Sequence, residues 1–205
     1  MTRALPWAMA FGLGAFHGLN PAMGWLFAVA LGYQEEKRRA IFEAIGALAT
    51  GHCLAVGAAV ILFWAAGAWL PSHWIAVGSA GLLVGFGLYW LLRPRHPRWV
   101  GMHVRLRELV LWAFLMATAH GAGLMLFPAL GAASLCGQGG SRLPVGSALG
   151  MAAIHTIGYW AVALGMALIV FEKVGLSFLR KAWWNLDVLW GTALLLAAGT
   201  LLLYP

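Results

Sequence analysis

Apolar residues along this chain fall into six long runs, and polar positions gather between the runs rather than alternating within them. A helix needs roughly 20 mostly apolar residues to cross a bilayer. The pattern predicts spans at about residues 5–32, 41–70, 75–92, 109–130, 145–171 and 186–204. Pro71 closes the second run and the segment "RPRHPR" closes the third. The first run is far longer than the ~7–15-residue apolar core of a secretory signal, so it reads as a helix that stays. The expected fold is therefore an all-α integral membrane protein with six transmembrane helices, a single membrane domain over residues 1–205.

Composition strengthens this reading. The chain is 62% hydrophobic and 9% charged, against about 25% charged for a soluble domain. Its net charge of +7 is concentrated in short loops: Lys37, Arg38 and Arg39 after the first span; Arg93, Arg95, Arg98, Arg105 and Arg107 after the third; Lys173, Arg180 and Lys181 after the fifth. The opposite face has only Arg3 and Arg142. Basic residues mark cytoplasmic loops, so both termini are expected outside the cytoplasm, in a bacterial inner membrane. No basic amphipathic stripe or nucleic-acid motif is present, so nucleic acid is not an expected partner. The expected partners are the lipid bilayer, a small ion or solute, and further copies of the chain. Cys53 lies in an apolar run and Cys136 in a Gly-rich loop; no disulfide is predicted between them.

The two halves of the chain resemble each other weakly but in register. His17 and His120 are 103 residues apart, as are His52 and His155. The same shift carries Ala10 onto Ala113, Phe11 onto Phe114 and Gly18 onto Gly121. Each half (about residues 5–92 and 109–204) has three spans, and an odd number of spans inverts the second half. Inverted repeats are a common plan for secondary transporters, with sites near the midplane on helices broken by Gly or Pro. Pro21 lacks an amide hydrogen and leaves the carbonyl of His17 without its usual partner; Pro128 does the same to Leu124. Helices one and four are thus expected to break near the midplane. Asn20, three residues after His17, is expected on the same face.

Polar residues at midplane depth are costly and usually face an interior site. His17, His52, His120 and His155 all lie near the centres of their spans, so they are expected to converge on one layer. Imidazole suits Zn, Ni, Co, Cu or Fe, and four rings complete a shell. Cys53, next to His52, adds a soft candidate ligand, although neighbouring helical residues point about 100° apart. Alternatively the rings relay protons, ligate haem in pairs or bond helix to helix. A single layer argues against two haems, and no HxxxH, HExxH or CxxC spacing occurs.

Thr118 and Thr156 either orient the rings or bond back to their own helices. Tyr159 shares the helical face of His155. Glu43 is read as a carboxylate near a helix start. Asp187 is read as paired with Arg180 or Lys181 beside the anchoring Trp183, Trp184 and Trp190. His73, His96 and His103 are read as loop residues with no special role. No nucleophile–base pair or phosphate loop supports a hydrolase or NTPase.

The stretches "FHGLNPAMGWLFAVALG" and "ATGHCLAVGAAVIL" make the chain resemble the lysine-exporter superfamily of small transporters, nearest the nickel/cobalt-exporter and urease-accessory-type branches. The motif likeness rests on His17, Gly18, Gly51 and His52. It implies six spans in two inverted halves and transport of a small cation. Where those branches have an acidic ligand, this chain has Asn20 and Pro21, so the resemblance implies no particular ion. The leading expectation is a secondary transporter of a transition-metal cation, working through the four histidines, with Gly18, Asn20, Pro21, Gly121 and Pro128 shaping the backbone. The alternative is a membrane metalloprotein, redox or enzymatic, that holds its metal or haem with the same rings.

Overall fold

A computed structural model describes residues 4–66, 69, 72–92, 105–136, 143–174 and 186–203. Arg3, Arg93, Arg95, Arg98, Arg142, Arg180, Lys181, His96, His103, Trp183 and Trp184 lie outside the described residues. So do the side chains of Cys136, Asp187 and Trp190.

Helices α1 (Leu5–Leu19) and α2 (Trp25–Glu35) are separated by a tight 3₁₀ turn, Pro21–Met23. Then come α3 (Arg38–Ala66), α4 (Ser72–Leu92), α5 (Leu106–Ala119), the single turn α6 (Ala122–Met125), α7 (Phe127–Cys136), α8 (Val145–Ile169) and α9 (Leu186–Leu203). α8 runs on into a wider π turn, Val170–Val174. No strand occurs among the described residues.

Over the described residues each expected apolar run is mainly helical, but the runs differ in reach. Arg38–Ala66 and Val145–Val174 are each long and apolar enough to cross a membrane. Leu106–Ala119 and Ala122–Ala133 make a third crossing if taken together, bent by 54°. His73–Tyr89 and Gly191–Leu203 are shorter apolar helical stretches. The first run is divided between α1 and α2.

Local chemistry sets the helix starts. Pro6 occupies the first turn of α1, where its missing N–H is not needed. At α5 the Glu108 carboxylate accepts the Arg105 backbone N–H at 3.0 Å, satisfying a donor at the helix start. Glu43, expected near a helix start, is ion-paired with Arg39 at 2.7 Å, one turn further along α3.

Three pairs dominate the packing: α1 with α8, α3 with α5, and α4 with α9. Small residues permit each close approach. A Cβ on Gly14 would strike the His155 carbonyl, and one on Gly158 the Phe11 carbonyl. A Cβ on Gly51 would strike the Val110 carbonyl, and one on Gly123 the Ala59 side chain. Gly87 and Gly191 meet backbone to backbone between α4 and α9. These contacts also give directions. Trp7 lies against Gly150 and Gly18 against Tyr159, so α1 and α8 are parallel. Gly51 lies against Val110 of α5 and Gly123 of α6 against Val56, so α3 runs parallel to the stretch from α5 into α6. Gly87 meets Leu195 while Leu91 meets Gly191, so α4 and α9 are antiparallel.

The polarity of the bundle is opposite to that of a soluble protein. Among the described residues, the buried polar or charged ones are His17, Asn20, His52, Ser79, His120 and His155. Large apolar side chains such as Leu54, Leu62, Trp74 and Leu196 cover the outside.

Candidate functional site

The site is assembled where α1, α3 and α8 meet. The ring centres of His17 and His155 are 5.0 Å apart, those of His52 and His155 5.4 Å, and those of His17 and His52 5.6 Å. All three residues are buried. His120, also buried, ends α5 and is within electrostatic reach of His17.

Backbone carbonyls orient three of the rings. His17 Nδ1 donates to the Leu13 carbonyl at 2.8 Å. His120 Nδ1 donates to the Met116 carbonyl at 2.8 Å. These bonds are equivalent under the 103-residue shift, which maps Leu13 onto Met116. His155 Nδ1 donates across the interface to the Ala10 carbonyl at 3.2 Å. A carbonyl can only accept, so Nδ1 has the proton in all three rings. Nε2 is left as the atom able to bind a cation or take a proton.

His52 breaks the symmetry. Its repeat mate, His155, reaches Ala10, but neither ring nitrogen of His52 finds a hydrogen-bond partner among the described residues. The ring is instead stacked between two others. Tyr159 lies 4.2 Å away at 9° and His155 5.4 Å away at 8°. Leaving a buried polar group unpaired costs about 1–3 kcal/mol. His155 Nε2 is likewise without a hydrogen-bond partner among the described residues.

The α1–α2 break stands beside this core, and its freed backbone groups are recaptured. The Asn20 N–H donates to the His17 carbonyl at 3.1 Å, replacing the bond that Pro21 cannot make. The Trp25 indole donates to the Leu19 carbonyl at 3.3 Å. The Tyr159 hydroxyl donates to the Met23 carbonyl at 3.0 Å. Gly24 ends the turn at φ 104°, a left-handed conformation that suits glycine. Irregular backbone inside a bundle requires this kind of satisfaction.

Several expected roles change. Asn20 is not on the helical face of His17: the chain leaves the helix there, and Asn20 Oδ1 caps the turn by accepting the Ala22 N–H at 2.9 Å. Pro21 opens that turn as expected. The second half is interrupted twice: at His120–Gly121, with Gly121 at φ 65°, and at Leu126, two residues before Pro128, which is the second residue of α7, where its missing N–H matters little. Gly18, the repeat mate of Gly121, lies inside α1 and packs on the Tyr159 carbonyl.

Thr118 and Thr156 do not orient the rings; they bond to the carbonyls of Phe114 and Ala152 on their own helices at 2.8 and 3.0 Å. Cys53 is exposed, turned away from the core that His52 enters. Tyr159 belongs to the site, with His52 rather than His155 as its nearest ring. The i−4 carbonyls of His17 and His120 were readable from helical spacing. The Ala10 and Met23 carbonyls were not, because each depends on the α1–α8 pairing.

As the rings stand, they do not aim at one point. Two are stacked, and His17 meets both edge-on at 68° and 69°. No three His, Cys, Asp or Glu side chains among the described residues are arranged to hold a metal ion. Their spacing nevertheless suits one: imidazoles around an ion at about 2.0–2.1 Å from each nitrogen have ring centres roughly 5 Å apart. Rings this close leave no width for a porphyrin plane between any two of them.

The chain matches no known protein family, no curated protein and no solved structure.

Proposed function

We propose that this chain is a secondary membrane transporter that moves a small cation, of the transition-metal class, through a histidine core between two inverted three-span halves. The observation that carries the proposal is the triangle of His17, His52 and His155, with ring centres 5.0–5.6 Å apart and buried where α1, α3 and α8 meet. His120 extends it from α5. Unpaired nitrogens on His52 and His155 are a standing cost that a structural role leaves unexplained.

The helix pairing supports the inverted repeat. Numbering the expected spans in order, α1 and α8 are the first and fifth, and α3 and α5 the second and fourth. Exchanging the halves converts one of these pairs into the other, and α4 with α9 into itself. Six alternating crossings require the first two pairs to be parallel and the third antiparallel, which agrees with the contacts. The apolar exterior suits lipid, and the basic loops favour a bacterial inner membrane with both termini outside the cytoplasm. The backbone breaks beside the core are where such carriers bind and move.

The lack of a converged ligand set among the described residues favours a transit site over a resident redox or catalytic centre. A carried ion must be released, and rings that turn to meet it allow this.

The test is flux into liposomes containing the purified protein, followed by elemental analysis of the vesicle contents across a panel of transition-metal ions. Wild type should load at least one ion well above empty vesicles, and His52→Ala should fall to background. If no ion enters, while the protein is folded and correctly inserted, metal transport is excluded. Proton flux through the same vesicles would then favour a proton relay.

A further inference from the structure

Charge in and around the core indicates which class of cation it suits. The chain has six carboxylates: Glu35, Glu36, Glu43, Glu108, Glu172 and Asp187. The five glutamates are all exposed, and none enters the histidine core. Backbone carbonyls, not carboxylates, anchor the Nδ1 atoms of His17, His120 and His155. Among the described residues, then, a cation in this core meets neutral donors alone and keeps its whole charge in a low-dielectric interior. The cost of desolvating an ion grows with the square of its charge, and no described side chain around the core supplies an anionic ligand to offset it. A divalent ion is penalised about four times as heavily as a monovalent one.

A second observation concerns the softness of the donors. Met23, Met116, Met125 and Met151 are all buried, at 0–5% exposure. Met151 is four residues before His155 within α8 and shares its helical face, and Met116, in the last turn of α5, is the residue whose carbonyl holds His120 Nδ1. Soft thioethers select Cu(I) among the biological metals, and imidazole also accepts copper. Three imidazoles around one ion in a plane, at about 2.0 Å, would have ring centres about 5.5 Å apart, close to the 5.0–5.6 Å observed.

We propose that the core takes a soft monovalent metal cation, Cu(I), held by His17, His52 and His155 and handed on through Met116 and Met151. This rests on the transport reading above and names its cargo. No electron transfer is involved: the ion enters and leaves as Cu(I).

The test uses the full-length chain with Cys53→Ser and Cys136→Ser, which removes thiols that would bind soft ions on their own. Ag(I), a redox-inert stand-in for Cu(I), is titrated calorimetrically against the detergent-solubilised protein, in parallel with Zn(II), Ni(II) and Co(II). One Ag(I) per chain is expected, bound at least tenfold more tightly than any divalent ion. Binding should be lost in His52→Gln and weakened several-fold in Met151→Leu, a change that keeps the volume. Circular dichroism and gel filtration confirm that each variant is folded. If a divalent ion binds as tightly as Ag(I), the cargo class is overturned while metal transport stands. If Met151→Leu binds like wild type, the thioether route is overturned. If nothing binds and the liposomes also load no ion, both readings fall together.

Discussion

His52 is where stability and function pull apart. Its ring lies between Tyr159 and His155, and both its nitrogens are buried without hydrogen-bond partners. Such groups cost about 1–3 kcal/mol each, whereas an apolar ring of similar shape has no such penalty. His52→Phe keeps the stack and removes the unpaired nitrogens. It is expected to raise the thermal midpoint in detergent while abolishing cation flux. A lowered midpoint would mean that the nitrogens are satisfied and the functional reading of this ring is wrong. His155→Phe should behave differently, because it also removes the hydrogen bond that ties α8 to the Ala10 carbonyl of α1. The four histidines were legible in the sequence through their depth and common spacing of 103 residues, and all four are buried. Their neighbours were less legible. Spacing gives a direction only within an unbroken helix, and Asn20 leaves the helix at Pro21. Thr118 and Thr156 each had two hydrogen-bonding choices that sequence alone leaves open, and both bond to the carbonyl one turn back.

The two halves break their first helices differently, although both carry a histidine–glycine pair. In the first half the helix continues through Gly18 and stops at Leu19; in the second it stops at Ala119, and Gly121 turns left-handed. The sequence placed a break in each run and named Gly121 and Pro128 for the second; the left-handed turn falls at Gly121, and the helix is interrupted again at Leu126, just before Pro128 enters α7. The same substitution at the paired glycines should therefore act through different physics. A methyl on Gly121 has room, with the Leu194 side chain 3.4 Å away, but forces alanine to φ 65°. That costs about 1–2 kcal/mol, reduced by the stiffer unfolded chain. A methyl on Gly18 sits at an ordinary helical φ but only 2.6 Å from the Tyr159 carbonyl, so the α1–α8 pair must separate. Overpacking of this kind costs about 1–3 kcal/mol. Gly18→Ala is expected to lower the thermal midpoint more than Gly121→Ala does. It should also disturb flux, since the displaced backbone belongs to Tyr159. Thermal melts of the two variants side by side check the order, and a reversed order would show that the first break lies at Gly18 after all.

At the scale of the whole molecule, the faces joined at the ends of the helices bear on how often the chain crosses the membrane. Tyr33, near the end of α2, donates to the Phe171 carbonyl at 2.8 Å and packs on its ring at 4.8 Å. Arg38, at the start of α3, is 3.0 Å from Glu172. The first basic loop and the end of the fifth expected span therefore share one end of the bundle. The ion pair does not hold them there: both partners are partly solvated, and exposed pairs contribute only about 0–1 kcal/mol. Helix direction does, because α1 and α8 run parallel from Trp7 against Gly150 to Gly18 against Tyr159. If the six runs all cross, Lys37 and Lys173 must emerge on the cytoplasmic side and Ser141 on the other. Single cysteines at these positions, in a Cys53→Ser, Cys136→Ser background, report this with a membrane-impermeant maleimide. Lys37→Cys and Lys173→Cys should react only in inside-out vesicles, and Ser141→Cys only in right-side-out ones. Labelling of Ser141→Cys from the cytoplasmic side would mean that the bent pair α5–α7 enters and returns without crossing. The second half would then no longer invert the first, and the core would be reached from one face alone. Labelling of Lys37→Cys and Lys173→Cys from opposite sides would contradict the parallel α1–α8 pair itself, and with it the shared end on which the histidine core depends.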